Sequence, residues 1–235
     1  MCQIPPHAVG RRTLLRAMAA GSALAASTVV AACATGPQTR PGGPPPAPAP
    51  APGTLVMIIR HGEKPDPSSP LPGVDINGNP AGNGSLTEIG WSRARKLVDM
   101  FDPPGGTVRP GLARPTLIYA AGANEGGSGE RARETVTPLA QRLGVPVNTD
   151  FGKGDEAALA AAVSAQPGPT LICWQHGEIP AIAAAFGSVN PAPPTVWPDN
   201  RFDVVWTLTA HGDTWDFAQI PEMLLPGDQP QTISG

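Results

Sequence analysis

Short apolar runs and amphipathic helical patterns alternate along the chain from Thr54 onward, and this alternation constrains the fold most. The runs at 54–59, 116–120 and 170–175 are continuously apolar and partly β-branched, as is typical of strands covered on both faces. Helical patterns follow them, and they begin near residues 87, 130, 155 and 179. We therefore predict an α/β, three-layer sandwich with a mostly parallel central sheet and helices on both faces.

Smaller signals complete the predicted topology. Thr87 is the expected N-cap of the first helix, which the prolines after Phe101 end. Pro138 predicts a kink or a break in the second helix, and 145–148 could form a short strand. Two final runs, 202–208 and 215–220, flank a turn and predict a C-terminal antiparallel hairpin.

The first 33 residues have the pattern of an export signal rather than of a folded domain. Arg11 and Arg12 precede two leucines and a mild run rich in Ala and Gly, which favours a twin-arginine signal over a Sec signal. The residues before Cys33 resemble a bacterial lipobox, which predicts lipidation of Cys33. A small-residue signal-peptidase site giving a soluble protein is the alternative.

Residues 34–53 are expected to form a stiff linker. Eight of the 17 residues from Pro37 to Gly53 are proline, a composition that favours extended polyproline II. A spacer of this kind fits a domain at 54–235 that is held away from a membrane by a lipid anchor. The expected location is the cell envelope or periplasm.

The charge of the domain limits its partners. The chain has a formal charge of −3, but four of its sixteen basic residues precede Thr54 and all nineteen acidic residues follow it. The domain therefore has a charge of −7, which disfavours nucleic acid as a partner. An anionic substrate must then be held by a few local basic side chains.

Three His-Gly pairs are candidate sites, and two of them follow predicted strands directly. His61 and His176 lie at the carboxyl ends of these strands, where open α/β sheets bind ligands. His211 lies between the two hairpin runs and is interpreted as a surface turn residue.

Arg60, His61, Gly62, Glu63 and Lys64 carry the strongest signal in the chain. A guanidinium at the end of an apolar strand makes sense if it receives an anion, which it can bind through two parallel hydrogen bonds. Its charge also disfavours protonation of the neighbouring imidazole and keeps it nucleophilic. Gly62 would allow a phosphate oxygen to approach the backbone closely.

Three ordered motifs resemble the histidine phosphatase superfamily, which includes phosphoglycerate mutases and phosphohistidine phosphatases. They follow the stretch around His61, which carries the signature of the family, and they are the first-helix motif at 86–94, the second arginine motif at 129–135 and the strand 172–177 that delivers His176. The resemblance covers residues 54 to about 187. It implies a phosphatase of this fold that needs no cofactor or metal.

The resemblance also implies roles for particular residues. His61 would be the phosphorylated nucleophile, and Arg60, Arg131 and His176 would surround the phosphoryl group. Arg133 is the alternative to Arg131, which the motif match favours. Lys64 could contact the phosphate or point into solvent.

The proton donor is the least determined part of the site. A leaving alkoxide usually needs a proton, and Glu178, one residue beyond Gly177, is the first choice. Glu63 is the second. Asp150 and Asp155, in the loop after the second helix, are further alternatives, and Asp155 is also a helix-start candidate.

Two classes of function fit the sequence. The first is an exported phosphatase acting on small phosphorylated substrates through a phosphohistidine. The second is a surface lipoprotein that binds phosphate or another anion without turnover. A phosphomutase is disfavoured because phosphoglycerate substrates are cytoplasmic.

Overall fold

A computed structural model describes residues 50–51, 53–67, 70–123 and 129–235. The predicted export signal, Cys33 and nearly all of the predicted linker lie outside the described residues. Most of the loop between the second strand and the second helix lies outside them as well.

The described chain is a mixed α/β fold in which strands and helices alternate, as predicted. The strands are β1 (Leu55–Arg60), β2 (Leu117–Ala120), β3 (Val147–Asn148), β4 (Thr170–Trp174), β5 (Val189–Asn190), β6 (Val204–His211) and β7 (Thr214–Pro221). The helices are α1 (Glu88–Phe101), α2 (Glu130–Leu143), α3 (Glu156–Ser164) and α4 (Ile179–Ala185). None of the helices in the described ranges is long and apolar enough to cross a membrane.

The seven strands form one sheet in the order β3-β2-β4-β1-β6-β7-β5. β1 pairs with β4, β4 with β2, and β2 with β3, all in parallel, whereas β6 is antiparallel to both β1 and β7. This confirms the mostly parallel sheet and the C-terminal hairpin. The two-residue strand β5, which pairs in parallel with β7, was not predicted.

Helices cover the sheet in two pairs, because α1 packs on α2 and α3 packs on α4. All five residues of β4 and the last five of β1 are buried. Since successive strand residues point to opposite faces, both faces of the sheet centre are covered, as in the predicted three-layer sandwich.

The helix boundaries follow from the capping residues. The Thr87 side chain accepts a hydrogen bond from Gly90 N–H, which confirms Thr87 as the N-cap of α1. Helix α2 runs through Pro138 without a break and ends at Gly144 in the left-handed conformation. The prediction of a break at Pro138 was therefore wrong, and buried residues lie on both sides of the proline, among them Val136 and Leu139.

Glycines allow α1 to lie directly on the loop that follows β1. A Cβ on Gly90 would lie 2.4 Å from the Glu63 carbonyl oxygen, and a Cβ on Gly62 would lie 3.0 Å from the Gly90 carbonyl oxygen. The backbone after His61 is thus held between the strand and the start of α1.

Substituting Gly90 by alanine tests this close approach. Glycine to alanine normally stabilises a helix by about 0.5–1 kcal/mol, but the backbone clash here should reverse the sign. We expect Gly90→Ala to lower the free energy of unfolding by about 1–3 kcal/mol in urea denaturation. Gly105→Ala, where a Cβ would meet open space, is the control and should change stability by less than about 0.5 kcal/mol. Equal stability of both variants would contradict the packing.

Candidate active site

The carboxyl ends of β1 and β4 lie side by side and deliver the two predicted histidines. Arg60 pairs in register with Trp174, and His61 N–H donates to the Trp174 carbonyl at 3.0 Å. His61 and His176 therefore emerge at the same edge of the sheet. Helix α2 begins beside this edge, and Arg131 lies in its first turn.

These residues surround one cavity of about 450 Å³. Its lining includes both histidines and five charged side chains, namely His61, Lys64, Glu130, Arg131, Lys153, His176 and Glu178. Arg60 lies beneath the cavity, close enough that its charge acts on both His61 and His176. The structure thus brings together the two imidazoles and two guanidiniums that the sequence placed in one site.

His61 is buried and held in one tautomer. Its Nδ1 lies 2.8 Å from the Gly62 carbonyl oxygen, and because a carbonyl oxygen only accepts hydrogen bonds, Nδ1 carries the proton. The lone pair is therefore on Nε2. Burial is the main cause that lowers the pKa of His61 to about 3; the Arg60 and Arg131 charges contribute to this shift, and the Gly62 hydrogen bond opposes it. His61 is consequently neutral and nucleophilic at neutral pH.

Arg60 is almost fully buried, at 1% exposure, and only one of its nitrogens has acceptors. Its Nη1 donates to the carbonyls of Pro198, Asp199 and Arg201 at 3.3, 2.6 and 2.9 Å. Its guanidinium carbon lies 3.7 Å from the centroid of the Phe202 ring. Nε and Nη2 are buried and have no acceptor among the described residues. Burial lowers the pKa of Arg60 to about 10, so it remains a cation at neutral pH.

Arg131 has a similar arrangement. Its Nη2 donates to the Asn83 carbonyl, while its buried Nε has no acceptor within the part of the chain that the structure describes. Burial lowers its pKa, and Glu134 partly opposes this. Arg133, the alternative considered from the sequence, lies on the exposed side of α2 in an ion pair with Glu130.

Thr135 connects the stretch around Arg60 and His61 with the start of α2, where Arg131 lies. The sequence did not predict this connection. Its buried hydroxyl accepts from Gly62 N–H at 2.8 Å and donates to the Arg131 carbonyl at 2.7 Å. Helix α2 is thereby fixed to the residue after His61. Threonine suits this place because its hydroxyl can donate and accept at once.

Two predicted substrate-binding residues lie outside the cavity lining. Glu63 is paired with Arg93, whose Nη2 lies 2.7 Å from its carboxylate. Gly62 contacts the start of α1, so its missing side chain is explained by helix packing and not by a phosphate. Lys64 does line the cavity.

The acidic candidates for the proton donor differ in their partners. Glu178 lines the cavity, and its carboxylate lies 2.7 Å from Lys153 Nζ. Asp155 precedes α3, where it accepts from Gly152 N–H, and the Asp150 carboxylate accepts from the Asn148 side chain. Neither Asp150 nor Asp155 lines the cavity.

Asp199 is a site residue that sequence reasoning missed. Its carboxylate lies 2.5 Å from His176 Nε2, and its side chain is 87% exposed. Burial and the Arg60 charge lower the pKa of His176, whereas Asp199 raises it. The segment from Trp197 to Phe202 lies between α4 and β6 and has no periodic signal that could have placed it at this edge.

His211 lies at the end of β6 in the hairpin, with its side chain 80% exposed and 3.4 Å from the Asp216 carboxylate. It is the surface turn residue that the sequence indicated. Among the described residues, no group of three or more His, Cys, Asp or Glu side chains is placed to hold a metal ion.

Comparisons with known proteins found similarity in structure. No family model matches the sequence, and no curated protein matches it. The chain is similar to the protein histidine phosphatase SixA complexed with tungstate, at 15% identity and a TM-score of 0.46, covering 72% of this chain and 97% of that one. It is also similar to a phosphoserine phosphatase mutant from Entamoeba histolytica in complex with phosphoserine, at 12% identity and a TM-score of 0.46, covering 74% of this chain and 100% of that one. A mycobacterial glucosyl-3-phosphoglycerate phosphatase matches at 13% identity and a TM-score of 0.43, covering 72% of this chain and 97% of that one.

The connection made by Thr135 can be tested with a pair of matched variants. Thr135→Val keeps the shape of the side chain but leaves the Gly62 N–H without its acceptor, which should cost about 1–3 kcal/mol of unfolding free energy. Thr137, on the same helix, makes the same bond to the backbone at 2.7 Å but is exposed. Thr137→Val should therefore stay within about 0.5 kcal/mol of the parent protein in urea unfolding. Similar losses in both variants would show that the Gly62 contact does not contribute.

Proposed function

We propose that this protein is a histidine phosphatase that hydrolyses phosphomonoesters through a phosphohistidine on His61. One observation carries the proposal. His61 is a buried, neutral imidazole with its lone pair on Nε2, and the charges of Arg60 and Arg131 are close enough to lower its pKa. Both guanidiniums have buried N–H groups without an acceptor in the described chain. Buried donors of this kind are costly unless an anion receives them.

A phosphoryl group suits these donors. Arg60 offers Nε and Nη2, a fork that can hold two oxygens of one tetrahedral anion, and Arg131 offers Nε. Phosphoryl transfer requires little of a protein beyond alignment and neutralisation of the equatorial oxygens. The guanidiniums of Arg60 and Arg131 supply that neutralisation. Because their unpaired nitrogens are buried, their electrostatic effect on an anion is stronger than it would be in bulk water.

The reaction then has two steps at the same phosphorus. His61 Nε2 attacks the phosphorus in line with the leaving oxygen, and the alcohol departs. Water then attacks the phosphohistidine and releases phosphate. Since Nδ1 is already hydrogen-bonded to the Gly62 carbonyl, the imidazole can gain positive character at Nε2 without turning.

A protein that only binds phosphate is the second candidate. Such a site gains affinity from a protonated histidine, whereas His61 presents a lone pair that repels an anion. Its strongly lowered pKa favours the nucleophile. A phosphomutase would use the same residues, and the predicted export of this chain disfavours it.

We also propose that the protein is exported and held in the cell envelope by a lipid on Cys33. The paired Arg11 and Arg12, the lipobox-like residues before Cys33 and the proline-rich stretch from Pro37 support this location. The substrate in this location is a small phosphorylated compound, and the acidic domain disfavours nucleic acid as a partner.

Removal of the nucleophile tests the proposed function. The full chain should hydrolyse p-nitrophenyl phosphate without added metal. His61→Ala should reduce kcat by at least about 10³-fold, because the phosphohistidine cannot form. Enzyme quenched in alkaline detergent should carry a base-stable, acid-labile phosphate in the parent protein and none in the variant.

The third His-Gly pair supplies the control for this experiment. His211→Ala removes an exposed imidazole outside the site and should retain full activity. Phosphate binding by the parent protein without turnover would instead identify the anion-binding protein and overturn the enzyme.

The lipid anchor is tested by substituting the predicted acceptor. Cys33→Ala should abolish incorporation of labelled palmitate and move the protein from the membrane fraction to the soluble fraction of cells that express the full chain. Cys2→Ala is the control, because Cys2 lies ahead of the predicted cleavage point, and it should leave labelling unchanged. Unlabelled parent protein would favour the signal-peptidase alternative.

A further inference from the structure

Asp199 lines a second cavity, of about 420 Å³, which shares Lys64 with the cavity around His61, and its carboxylate lies on His176. The two groups are 2.5 Å apart, and the carboxylate contacts Nε2, the atom through which His176 would reach a phosphoryl oxygen. The Asp199 side chain is otherwise exposed. An anion that binds His176 must therefore take over this hydrogen bond and come to lie beside the carboxyl group.

The backbone of Asp199 is fixed even though its side chain is exposed. Its carbonyl accepts a 2.6 Å hydrogen bond from Arg60 Nη1, and the carbonyl of Arg201 accepts another at 2.9 Å. Trp197 Nε1 also donates to the Arg201 carbonyl at 2.9 Å, and the Trp197 side chain is buried. Arg60 therefore holds the segment that carries Asp199, so that the carboxyl group can move only by side-chain rotation.

The other acidic candidates are occupied by permanent cations or lie elsewhere. Glu63 is paired with Arg93 and Glu178 with Lys153, each at 2.7 Å, so a leaving oxygen must break an ion pair to reach either carboxyl group. Asp199 instead contacts an imidazole, which burial and Arg60 keep largely neutral.

We propose that Asp199 is the general acid and base of the reaction, an inference that rests on the proposed function of His61. In the first step the Nε2–P bond forms, the P–O bond to the leaving group breaks, and the leaving oxygen takes the proton of the Asp199 carboxyl group. In the second step the Asp199 carboxylate takes a proton from water, the water oxygen bonds to phosphorus, and the electron pair of the N–P bond returns to Nε2. The net reaction consumes one water and restores the proton on Asp199.

Substrate binding itself prepares the acid. A phosphate dianion close to a carboxylate disfavours its negative charge and raises its affinity for a proton. The exposed position of Asp199 lets that proton come from solvent. The acid thus forms when the substrate is in place.

The test compares two esters of similar shape in the full chain. Phenol is a much poorer leaving group than p-nitrophenol, so phenyl phosphate needs the acid more. Asp199→Asn should lower kcat/KM for phenyl phosphate by at least about 100-fold and for p-nitrophenyl phosphate by less than about 10-fold. We choose kcat/KM because it reports the steps up to release of the phenol and excludes the later hydrolysis.

Three further variants make the test specific. Asp199→Glu restores a carboxyl group and should regain part of the phenyl phosphate activity. Asp216→Asn removes the other His-Asp contact, with His211, and should have no effect. Glu178→Gln should lower kcat/KM for both esters by similar factors.

Equal losses on both esters in Asp199→Asn would overturn the inference and indicate that Asp199 only positions His176. A leaving-group-dependent loss in Glu178→Gln and not in Asp199→Asn would overturn it in favour of Glu178. Both results leave the proposed function intact. Absence of turnover of either ester by the parent protein would overturn the proposed function and this inference with it.

Discussion

The site depends on the burial of one guanidinium at the end of a central strand. Arg60 follows five buried or partly buried residues of β1, so its charge cannot reach bulk water and must be satisfied by the protein or by a ligand. One nitrogen takes three backbone carbonyls, and the Phe202 ring covers the guanidinium group. These contacts determine where the chain between β5 and β6 lies, and Asp199 in that chain contacts His176 of the site. The remaining N–H groups are left for an anion.

A second buried arginine, Arg93, fixes the loop that follows His61. Arg93 of α1 contacts the carboxylates of Glu63, Glu222 and Asp228 at 2.7 Å each. Burial alone would lower the pKa of Arg93, but these three carboxylates raise it above its ordinary value. Burial raises the pKa of Glu222 to about 7, although Arg93 opposes this shift. Part of the free-energy cost of burying these charges therefore falls on the Glu222 carboxylate. The cluster ties the loop after His61 to α1 and to the C-terminal segment, which fixes the approach to the site.

Local signals in the sequence were sufficient for the fold and for the centre of the site. The apolar runs that precede His61 and His176 predicted the ends of two strands. The helical pattern that begins at residue 130 predicted that Arg131 lies at the start of a helix. The contacts between distant segments could not be read in this way. Asp199 lies in a stretch without periodicity, and its contact with His176 depends on how Arg60 holds the backbone. Glu178 was the first choice for the acid because it follows His176 and Gly177 in the sequence. The sequence could not show that its carboxylate pairs with Lys153.

The basic side chains of the site influence both the binding of an anion and the protonation of His61. A domain with a net charge of −7 offers an anion no favourable field at a distance, so attraction is confined to the few cations at the sheet edge. Burial lowers the pKa of His61, and those cations lower it as well, so the imidazole stays unprotonated. In the proposed reaction the same cations stabilise the charge of the phosphoryl group. A nucleophile surrounded by positive charge therefore stays neutral without a dedicated base, and the proton required by the leaving group must come from outside this ring of cations. The proposed acid, Asp199, meets this requirement, because its carboxylate lies on His176 while its side chain is exposed.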